Sequence, residues 1–316
     1  MRRPPSSVGV VHTAASPCRC HASIVPALRA AGVDAFEVDA DALPLHLPRL
    51  VAADAVFDQT DTVAGRGWLR GAVRTALERA GAALVGPSAA AAARADDKDA
   101  ARRALVAAGL RVPEGTTLRG AGERLPRGLA GPFVVKAAHE HGSRGLVYAT
   151  TRGEALAAAR RLLARGRLAL VERFVAGAEV SVTLVGRPPR ALPPVEVRLA
   201  ATEGPASMLT FGRKWTGFGG RAAPEGRLAA GTLPPALARR LVAEARRGAR
   251  ALGLAGFVRF DGRVRDDGTI VWLEANPRPS LERGADAAVA AAAAGIPYEA
   301  LLARLVRGAR RARRTT

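Results

Sequence analysis

Short apolar runs alternate with longer amphipathic segments over the first 87 residues. Runs rich in valine and alanine predict four strands, at residues 8–12, 35–38, 55–58 and 83–85. Apolar residues recur at helical spacing between them and predict helices over 23–31 and 69–80. Strands separated by helices indicate a parallel sheet, and Gly86-Pro87-Ser88 interrupts the pattern where a first domain could end.

The rest of the chain has the same two kinds of segment in a less regular order. Helices are predicted over 89–108, 154–165, 234–252 and 298–311, and the alanine-rich stretch 287–294 is compatible with another. Strands are predicted at 132–136, 147–149, 168–174, 179–185, 193–197, 255–264 and 269–274. Asp266-Asp267-Gly268 joins the last two strands and favours a tight hairpin. We therefore expect an α/β chain with α+β parts, in domains spanning residues 1–87, 88–177 and 178–316.

Arginine dominates the charge of the chain. Of 316 residues, 48 are basic and 28 acidic, which gives a formal net charge of +20, yet only three of the basic residues are lysines. An arginine-coated surface and a binder of nucleic acid or another anion both fit this charge. The arginines are spread along the whole chain and aromatic residues make up only 4%, so stacking platforms for bases are scarce. The apolar fraction of 48% excludes wholesale disorder.

Membrane and disulfide classes are disfavoured by two further patterns. No apolar run approaches the ~20 residues that a membrane helix needs, and the run at 8–11 is too short for a secretory signal. We therefore expect a cytoplasmic protein without a membrane partner. Cys18 and Cys20 are the only cysteines, which excludes a disulfide framework. With His12 and His21 nearby they could bind a soft metal, but because the sequence shows no second ligand cluster we expect free thiols in a loop.

Two acids and an amide lie on the strands of the predicted hairpin. Asp261 follows the apolar run 257–260 and Glu274 ends the run 270–273, so antiparallel pairing would place both carboxylates on one face. With Asn276 they form a set of hard oxygen ligands, which Mg²⁺ prefers when it is shared with phosphates. Surface acids beside a turn are the alternative, but acids embedded in apolar strands need partners.

Two of the lysines lie in contexts that suit phosphate. Lys136 ends an apolar strand and precedes a loop that contains Gly142, Ser143 and Gly145. A lysine charge beside backbone N–H groups that can approach a ligand closely is typical of a phosphate site. Lys98 lies near a helix start, and either lysine alone could instead be a surface residue. The loop is neither a Walker loop nor the dinucleotide fingerprint, so a different nucleotide-binding fold is indicated.

The order of these motifs resembles the ATP-grasp superfamily and, within it, the D-alanine–D-alanine ligase branch. The motifs are, in order, Asp97-Lys98, Lys136 with its loop, residues 171–175 with Glu179 beyond them, Arg259-Phe260-Asp261 and Leu273-Glu274-Ala275-Asn276-Pro277. The last is the most specific, and the resemblance covers residues 83–310. It implies an ATP-grasp fold of three subdomains, with ATP held between the central and C-terminal ones.

The resemblance also implies a role for each matching residue. It implies an ATP-binding set of Lys98, Lys136, Glu140, Ser143, Glu172, Phe174, Val175, Glu179 and Leu273. Within that set the lysines would contact the phosphates, Glu172 the adenine amino group and Glu179 the ribose. Two Mg²⁺ ions, which Mn²⁺ could replace, would be bound by Asp261, Glu274 and Asn276. The implied catalytic residues are Arg259, Lys214 and Ser143, and the backbone near Ser280 would form part of an oxyanion site.

The implied reaction joins a carboxylate to an amine. The carboxylate attacks the γ-phosphate of ATP to give an acyl phosphate, and the amine then displaces phosphate. Mg²⁺, the lysines and Arg259 would offset the negative charge that accumulates on the transferred group. The implied partners are small-molecule substrates rather than nucleic acid, and a homodimer is left open.

The amino-acid pocket departs from the family pattern. Residues 277–285 replace the family's substrate segment, and residues 12–18 replace its N-terminal glycine-rich loop and glutamate. We therefore expect a ligase for an amino-acid-like or small peptide substrate other than D-Ala–D-Ala, with Arg278, Ser280 and Arg283 near it. The alternatives are D-alanine–D-alanine ligation itself, a non-catalytic nucleotide-binding protein and a nucleic-acid binder.

Overall fold

The N-terminal part of the chain folds around a small parallel sheet. A computed structural model describes residues 6–14, 16, 18–199, 208 and 226–315. The sheet has the order β2-β1-β3 and consists of β1 (Ser7–His12), β2 (Asp34–Asp39) and β3 (Ala55–Asp58). Its helices are α1 (Cys20–Ala30), α2 (Leu43–Ala52) and α3 (Arg70–Arg79). The predicted parallel sheet is therefore present, whereas α2, with a proline in its first turn and another inside it, had no counterpart in the sequence pattern.

The fourth predicted strand, at 83–85, is wrong. Only the pair Val56 and Leu84 forms a β-bridge there. Gly81 and Gly86 on either side have φ values of 84° and 100°, so the chain turns at both ends before a longer ladder can form.

The single helix predicted over 89–108 is two helices, α4 (Ala89–Asp96) and α5 (Lys98–Ala107). Asp97 between them has extended backbone angles, and its carboxylate accepts the N–H groups of Asp99 and Ala100. An aspartate that caps the next helix in this way competes with the helical hydrogen bonds of its own residue. The break makes Lys98 the first residue of α5.

The central part is a four-stranded antiparallel sheet of order β4-β7-β5-β6. Its strands are β4 (Gly115–Leu118), β5 (Phe133–Ala137), β6 (Val147–Ala149) and β7 (Ala169–Arg173), and helix α6 (Arg152–Leu163) packs on one face. Thr151 and Glu154 form a capping box that fixes the start of α6. The other face of this sheet points towards the cavity described below.

The C-terminal part is a six-stranded antiparallel sheet with its own helices. The strands are β8 (Ala178–Gly186), β9 (Arg190–Ala191), β10 (Val195–Leu199), β11 (Gly226–Ala230), β12 (Gly256–Val264) and β13 (Ile270–Asn276). The main order is β11-β10-β8-β12-β13. The helices are α7 (Pro235–Leu252), α8 (Asp286–Ala293) and α9 (Tyr298–Thr315). The predicted hairpin between β12 and β13 is confirmed, with Gly268 at a φ of 75°.

The first and last parts of the chain share one hydrophobic core. Val8 and Phe57 from the parallel sheet pack with Leu301, Leu302 and Leu305 of α9. The domain boundaries at residues 87 and 177 stay predictions.

Membrane-spanning potential is low for each described helix taken by itself. None is long and apolar enough to span a bilayer alone, whereas α8 and α9 up to Ala309 pass that test as a pair bent by 106°. Most apolar side chains of this pair are buried in the shared core.

Candidate active site

A cavity of about 270 Å³ lies between the central sheet and the C-terminal sheet. It is lined by thirteen residues of the predicted site, namely Lys98, Lys136, Glu140, Ser143, Glu172, Phe174, Val175, Glu179, Arg259, Asp261, Leu273, Glu274 and Ser280. These residues come from positions as far apart as 98 and 280. The fold therefore brings together motifs that are widely separated along the sequence. Lys214 lies outside the described residues.

The two described lysines point into this cavity from different elements. The Lys136 ammonium on β5 lies 2.7 Å from the Glu172 carboxylate on β7, and both side chains are nearly buried. Lys98 donates a hydrogen bond from Nζ to the backbone carbonyl of Glu140. Burial lowers the pKa of Lys98 to about 8, and neighbouring Lys136 adds to this while Glu274 opposes it. Two ammonium groups therefore share one poorly solvated space, which favours the binding of an anion.

The loop after β5 is shaped by three residues with left-handed backbone angles. Gly142, Ser143 and Gly145 have φ values of 65°, 60° and 69°. A positive φ at a serine is uncommon and occurs where the surroundings fix the backbone. Glu140 anchors the start of the loop through a hydrogen bond from Arg167. The loop thus holds Ser143 at the wall of the cavity, beside the two lysines.

The opposite wall carries a concentration of carboxylates around one guanidinium. Asp261 and Glu274 are directly paired across β12 and β13, as the hairpin predicted. Arg259 contacts both oxygens of Asp261, from Nε at 2.6 Å and from Nη2 at 3.0 Å. Its Nη1 donates to Asp286 at 3.1 Å, and the Ser181 hydroxyl donates to the other Asp286 oxygen at 2.7 Å.

Burial and neighbouring charges shift the pKa values of Asp261 and Arg259 at this wall. Burial raises the pKa of Asp261; Arg259 opposes the effect and Glu274 adds to it. Burial alone would lower the pKa of Arg259, but Asp261 and Asp286 raise it. Asp261, Glu274 and Asp286 lie around Arg259, and Glu274 also acts on the charge of Lys98. Carboxylate oxygens grouped in this way are the hard donors that a divalent cation such as Mg²⁺ prefers.

Arg263, which the sequence did not single out, holds the segment between β7 and β8. Its Nη1 donates to the carbonyl of Val175 at 2.9 Å, and its Nη2 lies 3.2 Å from Glu179. The guanidinium also stacks 5.1 Å from the Phe174 ring centre, whose edge meets Tyr148. Arg263 lies two residues after Asp261 on β12, so alternation along the strand could have indicated that it faces the same side.

Gly177, which lies between β7 and β8, provides a test of how closely this segment approaches the end of β12. Gly177 has a φ of 127°, and a Cβ there would lie 2.2 Å from the carbonyl oxygen of Val264. Backbone strain and overpacking together should make Gly177→Ala cost ~2–5 kcal/mol of unfolding free energy. Gly166→Ala is the matched control, because Gly166 also has a positive φ but nothing within 4 Å. It should cost only the strain, ~1–2 kcal/mol. Equal losses in urea denaturation would contradict the close approach.

Three predicted residues lie elsewhere. Arg278 is buried against carboxylates of Asp58 and Asp96 rather than open to the cavity. Asn276 accepts the backbone N–H of Arg278 with its side-chain oxygen at 3.0 Å. Arg283 is exposed, pairs with Glu299 at 2.6 Å and stacks on Tyr298. Neither Arg278 nor Arg283 lines the cavity, since the buried guanidinium of Arg278 pairs with carboxylates and that of Arg283 pairs at the surface. Their substrate role stays a prediction.

Asp286 is a cavity residue that the sequence did not reveal. It is the first residue of α8, and the only charged residue in that alanine-rich helix. An acid at the start of an otherwise uncharged helix is the signal that could have drawn attention to it, although helix capping alone explains such a residue equally well.

Comparisons with known proteins agree with this architecture. Residues 117–307 match the family described as the C-terminus of D-ala D-ala ligases. D-Alanine–D-alanine ligases from Aromatoleum aromaticum and Azoarcus sp. are 31% and 32% identical to the chain. The matches cover 91% and 92% of the chain and 89% and 91% of the relatives.

Solved structures show the same fold. The D-alanine–D-alanine ligase of Bacillus anthracis complexed with ATP superimposes with a TM-score of 0.79 at 19% identity, over 98% of the chain and 99% of that structure. A D-Ala:D-Ser ligase from Enterococcus faecalis has a TM-score of 0.74 at 18% identity, over 96% and 99%. The expected ATP-grasp fold is therefore confirmed.

Proposed function

The chain belongs to the D-alanine–D-alanine ligase family, and we propose that it uses ATP to join two D-alanine-type amino acids through an acyl phosphate. As a member of that family it is an ATP-grasp ligase. The choice of D-alanine rests on the relatives, which favour it over the divergent substrate expected from residues 277–285. A second amino acid other than D-alanine has a precedent in the fold, because one solved neighbour is a D-Ala:D-Ser ligase.

One observation carries the proposal: two buried lysines face a half-buried carboxylate pair across one cavity. Lys98 and Lys136 supply positive charge on one side, while Asp261 and Glu274 supply metal-type ligands on the other. A triphosphate with a bound cation has the complementary arrangement of charge. The lysines would contact its phosphates, and the segment held by Arg263 would bind the purine and ribose through Glu172, Val175 and Glu179.

Mg²⁺ fits the donor set that the structure presents. Asp261 and Glu274 would hold it, and when bound it would neutralise charge on the transferred phosphoryl group. Asn276 stays a predicted ligand, although its side-chain oxygen already accepts the backbone N–H of Arg278. Arg259, fixed between Asp261 and Asp286, is positioned to face the substrate carboxylate and the acyl phosphate formed from it.

The direct test measures phosphate release and product mass. With ATP, Mg²⁺ and D-alanine, we expect phosphate release together with a dipeptide lighter than its two precursors by one water. L-Alanine should give neither, and a D-alanine and D-serine mixture tests the second position. Turnover with other carboxylates and amines but not with D-alanine would support the earlier expectation of a substrate other than D-alanine. ATP binding without turnover on any of them would favour a non-catalytic nucleotide-binding protein.

The pKa of Lys98 predicts how ATP affinity depends on pH. Phosphate binds the charged ammonium, and in the free protein that charge is lost as the pH rises through about 8. By linkage, ATP affinity should fall by up to about tenfold per pH unit above that value. Lys98→Met removes the charge at every pH, so its affinity at neutral pH should resemble that of the wild type at high pH. A pH-independent wild-type affinity between pH 7 and 9.5 would exclude a role for this charge.

A further inference from the structure

Both cysteines of the chain meet at the junction between its first and last parts. Cys18 precedes α1 and Cys20 is the first residue of that helix, so the expectation of two thiols in a loop is wrong for Cys20. Both side chains are buried, their sulfur atoms lie 2.7 Å apart, and neither forms a disulfide. Two sulfurs held side by side away from solvent form half of a metal site.

The fold supplies the second ligand group that the sequence lacks. Glu282 approaches from the loop before α8, and one oxygen of its carboxylate lies within 4.8 Å of both sulfur atoms. The backbone N–H of Arg19 donates to Glu282 Oε1 at 2.9 Å and so orients the carboxylate. On the sulfur side, the backbone N–H of Leu281 donates to Cys20 Sγ at 3.3 Å. Hydrogen bonds from backbone N–H groups to ligand atoms are how proteins orient and tune metal ligands.

We propose that Cys18, Cys20 and Glu282 bind a thiophilic divalent cation of the Zn²⁺ class. Thiolates select soft and borderline metals, and a carboxylate completes a set that Zn²⁺ accepts. Binding replaces the thiol protons: each S–H bond breaks, the proton passes to solvent and a sulfur–metal bond forms, with no change of oxidation state. Three protein ligands leave a fourth position for a water molecule or the Ser280 hydroxyl, which lies 3.4 Å from Cys20 Sγ.

The site joins a segment that borders the candidate active site to the start of α1. Ser280 and Glu282 line the cavity, whereas Cys18 precedes α1 and Cys20 begins it. A metal bound here would fix the wall of the cavity to the N-terminal sheet. The proposal does not rest on the proposed ligase activity, because Cys18, Cys20 and Glu282 are assigned no part in binding ATP and their metal binding is measured without turnover.

A neighbouring cluster of different chemistry provides the control. His12, His21 and Glu37 also place three ligand atoms within 4.8 Å of one another, and the two imidazole rings stack 4.0 Å apart. This set contains nitrogen and oxygen but no sulfur, and Glu37 is exposed. A thiophilic ion should therefore prefer the cysteine cluster.

The test is a titration of the reduced full-length protein with Cd²⁺, followed through the ultraviolet thiolate-to-metal charge-transfer band. We expect one Cd²⁺ per chain with that band, displaced by Zn²⁺ and accompanied by proton release. Cys20→Ser should reduce the band at saturating Cd²⁺ by about half or more, because one of the two thiolates is lost. Glu282→Gln should weaken Cd²⁺ binding by at least the ~10–100-fold that loss of a residue that only orients a ligand costs at other metal sites. His21→Ala should leave the titration unchanged.

Thermal unfolding without metal shows whether each variant is folded. If Cys20→Ser does not fold, Glu282→Gln still tests the proposal. The proposal is overturned if the wild type shows no charge-transfer band. It is equally overturned if Glu282→Gln binds Cd²⁺ as tightly as the wild type, or if His21→Ala weakens binding as much as Glu282→Gln does.

Discussion

Glu274→Gln should lower ligase turnover by ~10³-fold or more while the protein stays folded. The carboxylate lies opposite Asp261 on the cavity wall, where two negative charges are held near each other in a poorly solvated place. Glutamine keeps the shape but removes the charge that a divalent cation needs. The measurement is phosphate release at saturating ATP and amino acid, with the thermal midpoint recorded in parallel.

Two further variants distinguish the loss of a cavity carboxylate from the loss of any acidic residue in the same hairpin. Asp261→Asn should be about as damaging, whereas Asp266→Asn changes an exposed residue in the turn of the same hairpin and should leave turnover unchanged. Glu274→Gln relieves the repulsion with Asp261, so it should keep its thermal midpoint. Asp261→Asn also removes the partner of the buried Arg259 guanidinium, so it should lower that midpoint. Full activity of Glu274→Gln would refute the metal assignment.

Arg278→Met should destabilise the protein by ~3–5 kcal/mol. The guanidinium is nearly inaccessible and lies 3.2 Å from Asp58, which is fully buried, and it also contacts Asp96. Burial raises the pKa of Asp58, but Arg278 and Arg74 outweigh it and the net shift is downward. Removing Arg278 leaves carboxylates from two parts of the chain without one of their counter-charges. Urea denaturation at neutral pH is the measurement.

Arg283→Met is the matched control, because Arg283 makes an exposed ion pair with Glu299 that is worth at most ~1 kcal/mol. The same two variants test the expected substrate role of both arginines. If Arg278 has only a structural role, Arg278→Met should keep the wild-type KM for the amino acid when it is assayed below its unfolding temperature. A large rise in that KM with unchanged stability would return Arg278 to the substrate pocket.

Local patterns predicted the parts of the site that depend on neighbouring residues. The Asp-Gly turn predicted the hairpin, which pairs Val264 with Ile270. A register shift between Gly262 and Asp261 then places Asp261 opposite Glu274. The apolar run before Lys136 and the glycines after it predicted a strand and a loop that are both present. In each case the physical cause operates within about ten residues, where periodicity and turn preferences act.

Contacts between distant segments could not be read from the sequence. Three site residues have their partners elsewhere along the chain. Asp286 pairs with Arg259, Arg263 with Glu179, and Glu282 lies beside Cys20. A helix break such as Asp97 is local, yet an aspartate inside an alanine-rich run also suits an unbroken helix, so its capping role is visible only in the structure. Arg263 could not be distinguished from the many other arginines in the sequence. Arg278 was singled out for a substrate role, and its buried carboxylate partners are visible only in the structure.

The core shared by the parallel sheet and α9 sets an order of events during synthesis. Val8 and Phe57 leave the ribosome long before Leu301 and Leu305, which belong to the same core. Until α9 emerges, the apolar face of the N-terminal sheet is covered by α1 but not by α9. Such long sequence separation slows folding and exposes surface that can aggregate. Emergence of α9, rather than emergence of the sheet itself, is the step that completes this core.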